Sequence, residues 1–296
     1  MMNEAWQRSQ YACDVDGIVS IDPVFIQKMV EINGNVTLED GTVLTGENTA
    51  EYMLNTIYKE VPVSLQDTYF EYIASTIMNN AFSNMDITKM MKVAQSIGEL
   101  TRNRHFYAYT FHDDEAKYFQ GAGLAKGTPD SETDPEVGIY LNEQNPSKLG
   151  WYIDRKTQIT KTGQNADGSK TYHVTYTLTN TLTSSEMATC TGYILGGEQA
   201  GVTGKPVAAP GTSAQRMLFY APKGGSISEI TSSGDVRDQS NAVMDGQKLV
   251  TNVAYIAPGE SVTFDFDVTT SPKAENDLTI DQTPSGKMTN EVNYQY

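Results

Sequence analysis

Cysteine is nearly absent from this 296-residue chain: Cys13 and Cys190 are the only two. A structural zinc site needs about four Cys or His ligands. Two cysteines and three scattered histidines, His105, His112 and His173, do not supply one. A disulfide between Cys13 and Cys190 would tie the two halves of the chain together, and an exported protein would permit it. Two separate buried thiols are the alternative. Basic residues are also few: 21 Lys and Arg against 37 Asp and Glu leave a net charge of -16. Such a field repels phosphate backbones and anionic lipid, which argues against nucleic acid as a partner. No run of about 18 apolar residues exists, so no membrane-spanning helix is expected. The opening MMNEAWQRSQYACDVDG lacks the apolar core of a signal peptide. It also runs into a strand-like segment within a few residues. The expectation is a chain that starts inside a larger protein, with a membrane anchor and the first part of a domain upstream.

Length sets a prior of about two domains. A hydrophobic content of 39% supports packed cores, while a mean hydropathy of -0.42 suits a surface-rich, strand-rich body. Val15–Ile21 is rich in β-branched residues and reads as a buried strand. Asp22-Pro23 opens a helix, with Asp as N-cap and Pro at its first position, and Asn33-Gly34 closes it. Asn35–Leu38 and Thr42–Leu44 flank an Asp-Gly hairpin turn. Thr45 caps the next helix, where Ala50, Met53, Leu54 and Ile57 recur at helical spacing. Ser64 to Phe82 is a long helix with Tyr69, Phe70, Ile73, Ile77 and Ala81 on one face. Asp86 caps another, whose Ile87, Met90, Met91, Ala94 and Ile97 read as ordinary core. Phe106–Phe111 is a strand, and Asp113 begins a short helix ending at Gly121.

Residues 127–136 form a Pro/Asp/Thr loop, the expected boundary between domains 1–135 and 136–296. Beyond it, strands and turns follow every eight to twelve residues, the pattern of a sandwich or barrel. The expected strands are Val137–Leu141, Trp151–Ile159, Tyr172–Thr181, Thr189–Leu195, Gln215–Ala221, Ser226–Ser232, Gln247–Ile256, Ser261–Val268, Leu278–Gln282 and Met288–Tyr294.

Motifs of catalysis are missing. No Gly-x-Ser-x-Gly elbow, phosphate-binding loop or dinucleotide fingerprint occurs. His112-Asp113-Asp114-Glu115 resembles a metal cluster in composition. Neighbours on a helix N-terminus do not converge on one point, however, and acids are favoured there by the helix dipole. Arg102-Asn103-Arg104-His105 is the one basic knot. It complements a helix C-terminus, or it meets a phosphate or an acidic glycan. Trp151, Tyr152, Tyr193, Tyr220, Tyr255, Tyr294 and Tyr296 are candidates for a ligand face in the second half.

The segments VDGIVSIDP and VTLEDGTVLTGENTAEYML resemble an uncharacterised (domain-of-unknown-function) family of Gram-positive cell-envelope proteins. VGIYLNEQNPSKLGWYI, TYHVTYTLTNT, PGTSAQRMLFYAPKG and APGESVTF look like that family's second half. The first domain is in turn distantly similar to the LytR-CpsA-Psr proteins. These transfer wall glycopolymers from a polyprenyl pyrophosphate carrier to peptidoglycan, gripping pyrophosphate with arginines and holding Mg²⁺ with acids. Leu44, Gly46 and Tyr52 match a helix motif of those enzymes, but Leu54 and Thr56 stand where its two arginines belong. A second arginine motif would fall at Pro62–Gln66, where only the Gln matches. Carboxylates cannot replace guanidinium forks for a pyrophosphate.

The expected fold is therefore α+β / α/β: an incomplete LytR-CpsA-Psr-like three-layer domain followed by an immunoglobulin-like β-sandwich. The resemblance implies an extracellular, cell-envelope location with the anchor upstream. The expected role is a non-catalytic or degenerate relative of the transferases that binds peptidoglycan, wall glycopolymer or an envelope partner, without a cofactor. The alternative is an Mg²⁺-dependent phosphotransferase drawing its acids from Asp14, Asp16 and Asp22. The candidate ligand-binding residues are Asp16, Asp22, Glu47, Tyr52, Arg102 and Arg104. Asp16 has a competing role in a turn, and Asp22 in a helix cap.

Overall fold

The computed structural model describes residues 2–83, 85–196, 207–244, 246–288 and 290–296. Among them the chain is mixed α+β with several sheets. After a short helix α1 (Met2–Gln7), strand β1 (Gly17–Ile21) leads into α2 (Pro23–Asn33). Asp22 is the N-cap of α2, its carboxylate accepting from the Val24 and Phe25 amides at 3.0 Å, and Pro23 takes the first position. A two-residue-per-strand hairpin, β2 (Val36–Thr37) and β3 (Val43–Leu44), is joined through the Asp-Gly turn. The next helix starts later than Thr45. It runs as α3 (Thr49–Glu51), a π-helical turn (Tyr52–Thr56) and α4 (Ile57–Glu60). Thr45 instead heads the preceding turn, its hydroxyl accepting from the Glu47 and Asn48 amides. Then come α5 (Val63–Ser83), α6 (Ile87–Arg102), β4 (Phe106–Thr110) and α7 (Asp113–Gly121).

The helices pack on one another, with α2 against both α5 and α6. Their shared core holds Phe25, Met29, Leu44, Ile57, Ile73, Ile77 and Leu100. The sheet expected at the centre of a three-layer domain is reduced to β1 paired antiparallel with β4, because only two runs in this half form strands long enough to pair across it. β1 is consequently not a buried strand: Val19 and Ile21 are exposed. The methionine stripe of α6 is also not core. Ile87, Met90 and Met91 are exposed, because only the C-terminal turns of the helix, at Val93, Ile97 and Leu100, reach the cluster.

The second half begins with β5 (Glu136–Glu143), a 3₁₀ turn (Leu149–Tyr152), β6 (Ile153–Gln164) and β7 (Lys170–Asn180). Two short helices, α8 (Ser184–Thr189) and α9 (Gly192–Leu195), occupy the place of the expected strand Thr189–Leu195. A capping box between Thr183 and Glu186 starts the first of them, a helix signal that outweighs the β-branched content nearby. The remaining strands are β8 (Ser213–Tyr220), β9 (Ser226–Ile227), β10 (Thr231–Ser233), β11 (Asp235–Met244), β12 (Gln247–Ile256), β13 (Ser261–Thr269), β14 (Thr279–Gln282) and β15 (Glu291–Gln295). β11 was not expected from the sequence, since it is exposed nearly throughout and has no alternation to read. Thr289, within the expected last strand, lies outside the described residues.

Two sheets result, β10-β13-β7-β6-β15 with β9 on β13, and β11-β12-β8-β5-β14. β14 and β15 join β5 and β6 in parallel, and all other pairs are antiparallel. β7 alternates with period two: Tyr172, Val174, Tyr176 and Leu178 are fully buried while the intervening residues are partly exposed. These side chains meet Met217, Phe219, Phe264 and Phe266 in one core shared by both sheets. Phe219 touches Phe264 and Phe266 at ring distances of 5.2 and 5.6 Å. Truncating Phe219 to Ala would cost about 3–5 kcal/mol.

Both cysteines are free thiols, Cys13 exposed and Cys190 half-buried. The disulfide that the sequence permitted is not formed, and the reading of two separate thiols holds except that Cys13 is not buried: Cys190 packs into a cluster with Tyr152, Leu182 and Ile194, where its sulfur meets the Tyr152 hydroxyl at 3.7 Å. Among the described residues no helix is long and apolar enough to cross a membrane.

Candidate functional site

The two halves meet where α6 ends. The His105 amide donates to the Leu100 carbonyl and the Arg104 amide to the Thr101 carbonyl. This pair of bonds needs one residue in the left-handed region, a place usually taken by Gly. Here Arg104 takes it, at φ 63°. The turn sends the next two side chains in different directions, Arg104 toward the sandwich and His105 toward the helices.

Arg104 reaches Asp281 on β14. Its Nε donates to Asp281 Oδ1 at 2.5 Å, a second nitrogen pairs with Oδ2, and further bonds go to the Gly127 carbonyl at 2.6 Å and the Tyr107 hydroxyl at 2.8 Å. The Tyr140 hydroxyl donates to the same carboxylate at 2.7 Å. The Asp281 side chain is 0% exposed and that of Arg104 10%. Burial works against the guanidinium charge, but the Asp281 hydrogen bond and field outweigh it and hold Arg104 firmly protonated. Burial, followed by the Asp281 charge, pushes the Tyr140 hydroxyl well above its ordinary range.

His105 is fully buried, with Nδ1 at 2.6 Å from Asp22 Oδ2 and Nε2 at 3.2 Å from the Met288 carbonyl. Met288 ends a strap, residues 283–288, that runs from β14 back to the helical core. Arg155 of β6 holds its start, donating to the Thr283 and Pro284 carbonyls. Lys287 pairs with Asp154 at 2.6 Å. Gly286 lies against the Trp151 ring, where a Cβ would fall 2.9 Å from two ring carbons.

Two adjoining clefts open along this strap. One, of about 430 Å³, lies between the halves and is lined by Asp22, Leu54, Tyr58, Lys148, Trp151 and Gln215, among others. The other, of about 410 Å³, continues along β6 past Lys156, Lys287 and Glu291. They share Gly150, Trp151, Ile153, Arg155, Ser285 and Gly286, so Trp151 stands at their junction. The charged lining residues are Lys148, Arg155, Lys156 and Lys287 against Asp22, Glu143, Asp154 and Glu291, which balance. Most are already paired: Lys156 bonds Glu291 at 2.6 Å, and Glu143 accepts from Ser213, Gln215 and the Ala214 amide. Lys148 instead sits over the rings of Tyr58 and Tyr193, at 5.0 and 5.5 Å, with no carboxylate partner among the described residues. The arrangement offers ring faces, a cation and amide and hydroxyl groups.

Of the sequence candidates, Asp22 and Arg104 come to the seam, flanking His105. The others stand elsewhere. Asp16 is exposed and bonds His112 Nε2 at 3.0 Å, a contact that raises the imidazole pKa. Glu47 is exposed. The Tyr52 hydroxyl meets that of Tyr69 at 3.2 Å, which donates to Asp40, and burial followed by those bonds raises the Tyr69 pKa. Arg102 is exposed at the last position of α6. Asp16 and Asp22 flank β1, about 20 Å apart along an extended strand, and the Asp22 carboxylate is engaged with two amides and His105. Among the described residues no three of His, Cys, Asp and Glu converge to hold a metal ion. These acids therefore do not fit a shared Mg²⁺. Leu54, standing where the transferase resemblance calls for arginine, lines the cleft as an apolar residue.

Sequence reasoning named Trp151 among seven aromatics but missed Lys148, Arg155 and the strap. Tyr152 and Tyr220 are buried, and Tyr255 lies under the Arg237 guanidinium at 4.2 Å. The turn-forming Thr283-Pro284-Ser285-Gly286 was the available signal for the strap.

Among known proteins, the model of a family described as "Protein of unknown function (DUF4012)" matches residues 1–58. It supports the reading of the first stretch as part of an uncharacterised family. No curated protein matches the chain. A solved structure from Legionella pneumophila, described as a "putative nutrient binding protein", is similar at 13% identity and a TM-score of 0.23, over 47% of this chain and 44% of that one. The chain thus spans less than half the length of that protein, and a likeness at this score carries no argument.

Proposed function

We propose that the chain is a non-catalytic, extracytoplasmic cell-envelope protein, a degenerate relative of glycopolymer transferases, that binds a saccharide of peptidoglycan or wall glycopolymer in the seam cleft. The observation that carries this reading is Trp151 at the junction of two clefts whose own charges cancel. A protein of net charge -16 repels anionic polymers in general, but a locally balanced groove does not. Sugar rings present apolar faces that stack on aromatic rings, and hydroxyls that suit the amide and hydroxyl groups around them. Lys148 supplies a cation for an acidic substituent on such a chain. The apolar Leu54 and the engaged Arg104 support binding over pyrophosphate chemistry. In this reading the sandwich is an immunoglobulin-like support that forms the second wall of the cleft, and an upstream anchor holds the chain at the envelope.

The test is cosedimentation of the purified chain with insoluble peptidoglycan carrying its wall polymer. Retention is expected for the wild type and its loss for Trp151→Ala. Equal retention of both, or none of either, would overturn the reading.

A further inference from the structure

His105 presents both ring nitrogens to acceptors. Nδ1 faces the Asp22 carboxylate at 2.6 Å and Nε2 faces the Met288 carbonyl at 3.2 Å. The Met288 carbonyl has no proton to give, and an ionised Asp22, whose other oxygen accepts from two backbone amides, has none either. A neutral imidazole donates from one nitrogen only. The fully buried ring satisfies both contacts only as the imidazolium.

We propose that the protonated His105 is a latch that holds the 283–288 strap against Trp151, so that loss of its second proton loosens one wall of the seam cleft. As regulation of the cleft this rests on the saccharide-binding reading above, but the latch itself does not require a ligand. When Nε2 gives its proton to solvent, its lone pair faces that of the Met288 carbonyl, while Nδ1–H stays with Asp22. The strap end is the partner that moves, because Asp22 is fixed as the cap of α2 whereas Met288 is held by this bond and by its half-buried side chain against the helical core. The other attachments of the strap include no histidine: Arg155 donates to two carbonyls, and Lys287 to Asp154.

The segment before α2 contributes Asp22 to the surroundings of the ring. The strap contributes a carbonyl, and its Lys287 is turned to Asp154. From the end of α6, Arg104 is turned away to Asp281. β4 contributes Tyr107, whose hydroxyl accepts from Arg104. Asp22 is the only carboxylate bonded to the ring, and it opposes the N-terminal dipole of α2, which disfavours a cation there. Loss of a charge-assisted hydrogen bond changes an open–closed ratio by about tenfold or more.

The experiment uses the full chain with Trp6→Phe, leaving Trp151 as the single tryptophan. Acrylamide quenching of Trp151 is followed against pH, and the ring nitrogens of the three histidines are followed by NMR, with His105 assigned by its loss in His105→Gln. The expected result is a rise in quenching with pH whose midpoint coincides with the His105 titration, and which is absent from His105→Gln. Below that midpoint both His105 nitrogens should carry protons. Quenching independent of pH, or a single-protonated His105 at low pH in the wild type, would overturn the latch; the second observation stands even if the variant fails to fold. Cosedimentation with wall material on either side of the midpoint separates the two ideas. A quenching transition without any binding sinks the saccharide reading alone, and binding without the transition sinks the latch alone.

Discussion

Replacing Asp281 by Ala should be among the most destabilising single changes at the seam. The carboxylate accepts two bonds from Arg104 and one from Tyr140 in a setting closed to solvent. Removing it leaves a buried guanidinium that keeps Gly127, Tyr107 and little else. Breaking a buried ion pair from one side costs about 3–5 kcal/mol, because the remaining charge is uncompensated. The Tyr140 hydroxyl keeps the bond it accepts from Arg104 at 3.3 Å but loses the acceptor of its own proton, which adds about 1 kcal/mol or more. Lys126, whose ammonium lies 3.9 Å from Asp281, keeps Glu136 at 2.6 Å and does not change the sign. The double variant Arg104→Gly/Asp281→Leu should be milder. It removes both charges, and Gly relieves the left-handed backbone at residue 104, a strain of about 1–2 kcal/mol for other residues. Urea unfolding followed by circular dichroism measures both. The single variant is expected to lose about 4 kcal/mol and the double variant to recover most of it, with unchanged denaturant slope. A single loss under about 1 kcal/mol, the range of an exposed ion pair, or a double variant as unstable as the single, would refute the argument.

Three further outcomes follow from neighbouring features. The Lys161 ammonium and the Tyr172 hydroxyl hold the Asp277 carboxylate below its usual range. Its stabilisation is thus full above the unfolded value near about pH 4 and is lost as pH falls through the lower folded value, so Asp277→Asn should flatten the acid limb of a stability–pH profile. Gly286→Val should push the strap off the Trp151 ring, since even a Cβ falls at 2.9 Å, and should raise acrylamide quenching of Trp151 at every pH. The two free thiols should both react with a thiol reagent in the unfolded chain, and the gel mobility should be the same with and without reductant.

Two helix starts were legible because their signals are local. Asp22-Pro23 and Asp86 name their own caps, and the structure shows both side chains accepting the expected amides. The alternating strand β7 was legible for the same reason, since period two persists over its whole length. What failed depends on distant neighbours. Nothing in Ile87-Thr88-Lys89-Met90-Met91 tells that the first turns of α6 run past the helix core. Nothing in Val19 and Ile21 tells that β1 pairs with one strand only. The candidate site was legible residue by residue but not as a place. Arg104 and Asp281 are 177 positions apart, as are His105 and Met288 by 183, and only the turn at residue 104 brings them to one seam. The short helix at residue 184 is a different case: its capping box was present in the sequence and was overlooked beside the Thr-rich composition.

The most direct measurement is titration of the Trp6→Phe chain with soluble saccharide fragments of peptidoglycan and wall glycopolymer, reading Trp151 fluorescence. A saturable change is expected with one of them, weakened in Lys148→Ala when the fragment is acidic. Fragments that bind by calorimetry without changing Trp151 emission, or that fail to bind at all, would contradict it.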